Sequence, residues 1–289
     1  MNLSICPRVY RGVNGRRETM EECFDFCASA GFRQFDFGIS SRVGSCFLYE
    51  DDWETQAKRL AEFAAERGYV IGQSHAPYAY AMYPDRAYYR EMTRRSFEIA
   101  HILGARYIVV HAELRDDPHE EYDHDKALGR AYEFYAPFAE QASRLGIGMA
   151  IENLFDFKRR WNFTATVEEQ IEVIDRLHDS CVSACWDVGH GHVMYGEEHL
   201  AEMKKLGARL TCTHIHDNSQ KRDLHLPPCF GDIRWGDVMA ALREMQYRGD
   251  FNLELKCSHL PEALMPDYLQ LVYNTARSIT EADGSCPAT

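Results

Sequence analysis

The sequence predicts a single-domain α/β protein, a (β/α)8 TIM barrel, on three observations. Short β-branched or aromatic runs alternate with longer helical patterns eight times along 289 residues. Such alternation implies a parallel sheet with right-handed crossovers, and eight units in this length fit a closed barrel better than an open doubly wound sheet. No Pro/Gly/Ser-rich linker divides the chain, so the domain is expected over 1–283, with GSCPAT at 284–289 as a loose tail.

Strands are expected, in order, at 3–9, 33–38, 70–75, 107–111, 147–153, 182–187, 210–216 and 252–256. Helices are expected after them at 19–30, 53–67, 86–103, 126–145, 167–178, 197–206, 237–245 and 262–279. The third helix has the clearest period, with Met92, Ile99, Ala100 and Leu103 on one face and Arg94, Arg95 and Glu98 off it. Gly31, Gly68, Gly104 and Gly146 stand where left-handed caps end helices, and Pro137 predicts a kink or a break in the fourth.

Composition narrows the function. The 45 Asp+Glu against 32 Lys+Arg leave a net charge of −13, which argues against a general polyanion binder. The chain shows no uncharged apolar run of about 18 residues and no secretory leader, so neither a membrane span nor export is expected. Ten cysteines without a C-x-x-C pair read as reduced thiols of a cytoplasmic protein.

In a barrel, chemistry sits where strands end. Six successive strands end on ligand-type side chains: His75, His111, Glu152, Asp187, His216 and Glu254. Parity puts His214 on the same side as His216, and Lys256 on the same side as Glu254. Carboxylates from three strands packed together repel unless a cation neutralises them. One imidazole among oxygen donors suits Mn²⁺, Mg²⁺, Co²⁺ or Zn²⁺. The bland alternative is a buried salt-bridge network of the same carboxylates with Lys256 and Arg222. His214 is the substitute ligand should the register slip by one pair.

At these residues the sequence resembles the xylose isomerase-like barrels, which include sugar isomerases, ketose 3-epimerases and endonuclease IV. The resemblance implies one divalent metal held by Glu152, Asp187, His216 and Glu254, with His190 three residues after the Asp and Arg222 six after the His. It implies a metal-dependent isomerase or epimerase of a sugar or sugar phosphate, working by proton transfer beside a carbonyl through a metal-stabilised enediolate. Glu152 and Glu254, from opposite sides of the mouth, would be the acid–base pair. His75, His111, His190, Asp223 and His225 match the additional ligands of endonuclease IV, so two or three metals and phosphodiester cleavage are the alternative; a lyase acting on a keto-sugar or cyclitol would use the same quartet.

Substrate contacts are expected from His190, Arg222, His214, Lys256, Lys158 and Trp161, the last two in the KRRWN run after Glu152. The six carboxylates in 116–125 would repel a nucleic acid, so the partner expected is a small sugar or its phosphate, with a homo-oligomer as a further expectation. His192 is expected to face either the site or the core. His101, His178, His199, His119, His124 and His259 are expected at the solvated surface, and Cys185, Cys212 and Cys257 as small inward-facing core fillers.

Overall fold

The computed structural model describes residues 1–7, 19–38, 46–78, 85–111, 121–156, 162–219, 222–256 and 260–282. In chain order its elements are β1 (Leu3–Ile5), α1 (Met20–Ser29), β2 (Gln34–Gly38), α2 (Trp53–Arg67), β3 (Val70–His75), α3 (Arg86–Ile102), β4 (Tyr107–Val110) and α4 (His124–Leu145). They continue with β5 (Gly148–Glu152), α5 (Val167–Leu177), β6 (Val182–Asp187), α6 (Val188–Tyr195), α7 (His199–Lys205) and β7 (Leu210–His214). The chain then forms β8 (Asp217–Ser219), β9 (Arg222–Leu226), α8 (Trp235–Glu244), β10 (Phe251–Leu253) and α9 (Met265–Glu281).

Eight strands pair in the order β10-β1-β2-β3-β4-β5-β6-β7. A parallel bridge between Ile215 and Leu253 and the bond from Ile215 N to Asn252 O at 2.8 Å join the two ends of the sheet. The expected barrel is therefore present. Local chemistry sets the helix ends. Thr19 and Thr166 each close a capping box with the glutamate three residues on, and Gly68 and Gly146 end α2 and α4 in the left-handed region at φ 68° and 69°. Pro137 lies inside α4, which runs as one helix from His124 to Leu145 rather than as two pieces.

The alternation along each strand separates two environments. Phe35, Phe37, Met149, Ile151, Ala184 and Trp186 face the helices within the main apolar core. The opposite parity carries Val109, Ala150, Cys185 and Cys212 in a small separate cluster, together with polar Asp36, Gln73 and Asn252. An interior lined with small and polar groups leaves room for a polar centre above it.

Two elements escaped the sequence reading. α6 follows β6 without a break and contains Gly189 and Gly191, each of which costs about 1 kcal/mol in a helix relative to alanine. Their reason is close approach: a Cβ at Gly189 would meet the His216 ring, and one at Gly191 the Trp186 ring. The second is the antiparallel hairpin β8–β9, which carries Asp223 and His225 over the mouth. The tail expected at 284–289 lies outside the described residues. Among the described residues, no helix is long and apolar enough to cross a membrane, and the eight cysteines form no disulfide, with Cys185 and Cys212 buried as expected.

Candidate metal centre

The strand ends gather their polar residues at one rim. His75 is the last residue of β3, Glu152 of β5, Asp187 of β6 and His214 of β7; His111 and Glu254 stand one residue beyond β4 and β10. α6 supplies His190, β9 supplies Asp223 and His225, and His216 lies in the link to the hairpin. Three groups result, each with ligand atoms within 4.8 Å of one another: Glu152, Asp187, His214 and Glu254; His75, His111 and Glu152; and His190, His216, Asp223 and His225.

Register decides which histidine joins the quartet. β7 ends at His214, whose Nδ1 lies 2.8 Å from Glu152 Oε1, 3.3 Å from Glu254 Oε2 and 4.0 Å from Asp187 Oδ2. His216 sits beyond the strand, with Nε2 3.0 Å from Asp187 Oδ1 and 3.7 Å from Asp223 Oδ1, and its ring stacks on His225 at 4.0 Å between centroids. The structure thus places His214, not His216, with Glu152, Asp187 and Glu254: His214 is level with Asp187 in the β6–β7 ladder, and His216 lies two residues beyond it. Asp187 stands between two groups and Glu152 is shared by two.

The donor chemistry fits a cation. Nδ1 of His75 donates to Ala76 O at 2.6 Å, Nδ1 of His190 to Asn153 O at 3.0 Å, and Nδ1 of His225 to Glu254 O at 2.9 Å. A carbonyl only accepts, so each ring carries its proton there and, when neutral, turns the Nε2 lone pair toward the centre. Yet Nε2 of His75 lies 3.1 Å from Nε2 of His111 and 3.2 Å from Glu152 Oε2. Lone pairs facing a carboxylate repel unless a proton or a metal ion lies between them. Four carboxylates converge here, Glu152 and Asp187 at 1% and 0% exposure, and among the described residues the only lysine or arginine paired with any of them is Lys256, 3.5 Å from Asp223.

The electrostatics tell the same story. Burial would raise the Glu152 carboxyl, but His214 and His111 outweigh it and hold it well below the usual range. Asp187 and Asp223 are likewise lowered against burial, the first by His190 and His216, the second by His225, His190 and His216. Burial opposes the charged form of His75, His214 and His216, yet the carboxylates raise all three. In His111 and His225 burial prevails and the ring is lowered. Protons in the metal-free protein occupy lone pairs that a cation would otherwise take.

The chain matches the family described as Xylose isomerase-like TIM barrel over residues 24–274. It belongs to that family. The chain is 25% identical over 165 residues to an uncharacterised protein of Sinorhizobium fredii, a match covering 57% of this chain and 51% of that one, about half its length. It is 26% identical over 221 residues to the D-psicose 3-epimerase of Enterocloster bolteae, covering 71% of this chain and 68% of that one. Among solved structures, a D-tagatose 3-epimerase-like protein superposes with a TM-score of 0.76 at 20% identity, over 97% of this chain and 98% of that chain.

The remaining expected site residues of this xylose isomerase-like barrel fall in three places. Lys256 lies beside Asp223, and its N–H bonds to His225 O at 3.0 Å. Arg222 is exposed at the start of β9, and no ion pair among the described residues joins it to the carboxylates. Lys158 and Trp161 lie outside the described residues, as do Cys257, His119 and His259. Glu152 ends β5 and Glu254 follows β10, three strands further round the ring of eight with β6 and β7 between them. His192 is buried, its Nδ1 2.9 Å from Asn218 Oδ1 in the strand that opens the hairpin. The sequence reading missed Asn153, whose side chain bonds the Asp187 backbone in both directions (3.0 and 2.6 Å), and Tyr78, whose ring stacks on His111 at 5.7 Å.

His199 corrects another expectation: it is 4% exposed, not solvated, with its ring edge-on to His192 at 5.4 Å. Its place in a short charged helix (HLAEMKK) concealed this, because α7 packs against both α6 and α8. Burial first, then His192 and Arg234, lower it to about 3. A histidine depressed in the folded state costs stability as pH falls below about 6.5, where the unfolded chain takes the proton and the fold does not. His199→Leu is therefore expected to lose less stability than the parent between pH 7 and pH 5, by up to about 2 kcal/mol, in urea melts at the two pH values.

Proposed function

We propose that the protein is a divalent-metal-dependent isomerase or epimerase acting on a ketose or its phosphate. The observation that carries this reading is the quartet of Glu152, Asp187, His214 and Glu254, in which two glutamates from different strands flank one cation-suited position. The match to a D-psicose 3-epimerase over 71% of the chain supports the same class of substrate. A divalent cation bound there would act as a Lewis acid, stabilising negative charge on a sugar oxygen while the neighbouring carbon loses its proton. Glu254, with its side chain 21% exposed, is the carboxylate with room to take that proton, and Glu152 would return one from the other side. Lys256 at the rim offers donors to the sugar's hydroxyl or phosphate oxygens, and the Nε2 lone pair of His190 can accept from a sugar hydroxyl.

One observation favours a second reading. His75 and His111 on one flank, and His190, His216, Asp223 and His225 on the other, form two further ligand groups, as a multinuclear phosphodiesterase would require. Elemental analysis of protein purified without added metal separates the two. About one Mn²⁺, Mg²⁺ or Co²⁺ per chain, with epimerisation of a ketose or ketose phosphate lost on chelation and restored by the metal, is the expected result. About three zinc ions per chain, with hydrolysis of a phosphodiester and no epimerisation, would reject the isomerase.

A further inference from the structure

One buried carboxylate lies just below the quartet. Asp36, in the middle of β2, is 1% exposed inside the barrel. Its Oδ2 accepts from Gln73 Nε2 at 2.9 Å and from Asn252 Nδ2 at 2.8 Å, which ties β2 to β3 and β10. Its Oδ1 has no hydrogen-bond partner, and no lysine or arginine among the described residues pairs with it. A buried carboxylate in that condition is costly. The nearest group that can answer it is His214, whose Nε2 lies 3.5 Å from Asp36 Oδ2 and is itself buried without a hydrogen-bond partner.

His214 differs from His75, His190 and His225. Those rings give their Nδ1 protons to backbone carbonyls and face the centre through Nε2. His214 faces the centre through Nδ1, at 2.8 Å from Glu152 and 3.3 Å from Glu254. For Nδ1 to offer a lone pair to a cation there, the ring's proton must sit on Nε2, and no backbone carbonyl accepts it there. The Cys185 thiol also borders the ring, but burial pushes that thiol up to about 12, so it stays neutral and is a weak acceptor.

We propose that Asp36 is a positioning residue of the centre: it keeps the imidazole proton of His214 on Nε2, so that Nδ1 offers its lone pair to a divalent cation held with Glu152, Asp187 and Glu254. The proposal rests on the metal-centre reading and extends it to a residue outside all three ligand groups. A carboxylate behind a ligating imidazole fixes the tautomer and ring orientation and raises the basicity of the ligating nitrogen, and losing such a partner typically weakens metal binding about 10- to 100-fold. Asparagine has nearly the shape of Asp36 but no charge, and its NH₂ group, if turned to His214, would favour the wrong tautomer.

The test compares the parent, Asp36→Asn and Asn252→Ala, each loaded with Co²⁺, by chelator competition and by the visible absorption of the bound ion. Asn252→Ala removes a donor from the same network but leaves the Asp36–His214 contact. Expected is a 10- to 100-fold weaker Co²⁺ affinity with an altered spectrum for Asp36→Asn, and parental affinity and spectrum for Asn252→Ala, whatever each does to the melting temperature. Affinity of Asp36→Asn within about twofold of the parent, or equal losses in both variants, overturns the role of Asp36. Should Asp36→Asn fail to fold, ¹⁵N NMR of histidine-labelled, Zn²⁺-loaded parent decides: metal on Nδ1 of His214 with the proton on Nε2 supports the proposal, and metal on Nε2 overturns it. A parent that takes up no divalent cation refutes the metal-centre reading itself and is seen before any variant is made.

Discussion

Glu254→Gln is expected to slow exchange of the substrate's carbon-bound proton with solvent by about 10²- to 10⁴-fold, the usual contribution of a positioned general base. Glutamine keeps the size of the side chain and one acceptor oxygen but cannot take a proton. The choice of Glu254 over Glu152 follows from their surroundings. Glu152 is 1% exposed and its carboxylate is engaged by His75, His111 and His214 at 3.2, 2.5 and 2.8 Å. Glu254 stands one residue past β10, with its side chain 21% exposed toward the mouth, the geometry a group needs to meet a substrate. The measurement is deuterium incorporation into a ketose in D₂O at saturating Mn²⁺, followed by NMR. Saturating metal matters, because losing one ligand also weakens the cation, and only a defect that persists at saturation belongs to proton transfer. Exchange within tenfold of the parent would remove Glu254 from the acid–base role while leaving it as a ligand.

The barrel was legible because each strand is short, bounded by turn residues and followed by an amphipathic helix. β3, β6 and α2 fall at their expected limits. The rim was legible because a strand ending in His, Glu or Asp is unusual, and six doing so share a cause. What sequence could not supply was register beyond the last paired residue. His214 and His216 share parity, so alternation alone cannot say which joins Glu152; that depends on where β7 leaves the sheet to enter the β8–β9 hairpin. α6 was hidden by its two glycines, which read as loop until the rings of His216 and Trp186 are seen against them. Asp36 did leave a signal: a lone acid between Phe35 and Phe37 in a buried strand breaks the local pattern, and such violations concentrate at functional sites. His199 left none, since its burial depends on helix–helix contacts that the pattern of α7 does not encode.

Asp187→Asn is expected to separate folding from metal binding. Asp187 is fully buried, and its carboxylate serves three neighbours: Oδ1 caps α6 by accepting from His190 N at 2.7 Å, Oδ1 and Oδ2 lie 3.0 and 3.1 Å from His216 Nε2, and Oδ2 lies within 4.0 Å of His214 Nδ1. Asparagine caps a helix about as well as aspartate, so α6 should persist. The substitution also removes one of four crowded carboxylates, and with it repulsion that, among the described residues, protonated imidazoles and the Lys256 ammonium beside Asp223 offset in the metal-free protein. Even so, His190 and His216 hold the Asp187 carboxyl below its ordinary range, so its charge is net stabilising there and the metal-free variant should melt slightly below the parent. The stabilisation gained on adding metal should shrink sharply: a cation at 100 times its dissociation constant adds about 2.7 kcal/mol to the fold, and an affinity 100-fold weaker at the same concentration leaves about 0.4 kcal/mol. Thermal melts of both proteins with chelator and with Mn²⁺ or Zn²⁺ check the two halves together. A variant that melts well below the parent without metal would mean that Asp187 serves the fold first. A variant that keeps the parent's metal-dependent shift would mean that the cation does not bind at Asp187.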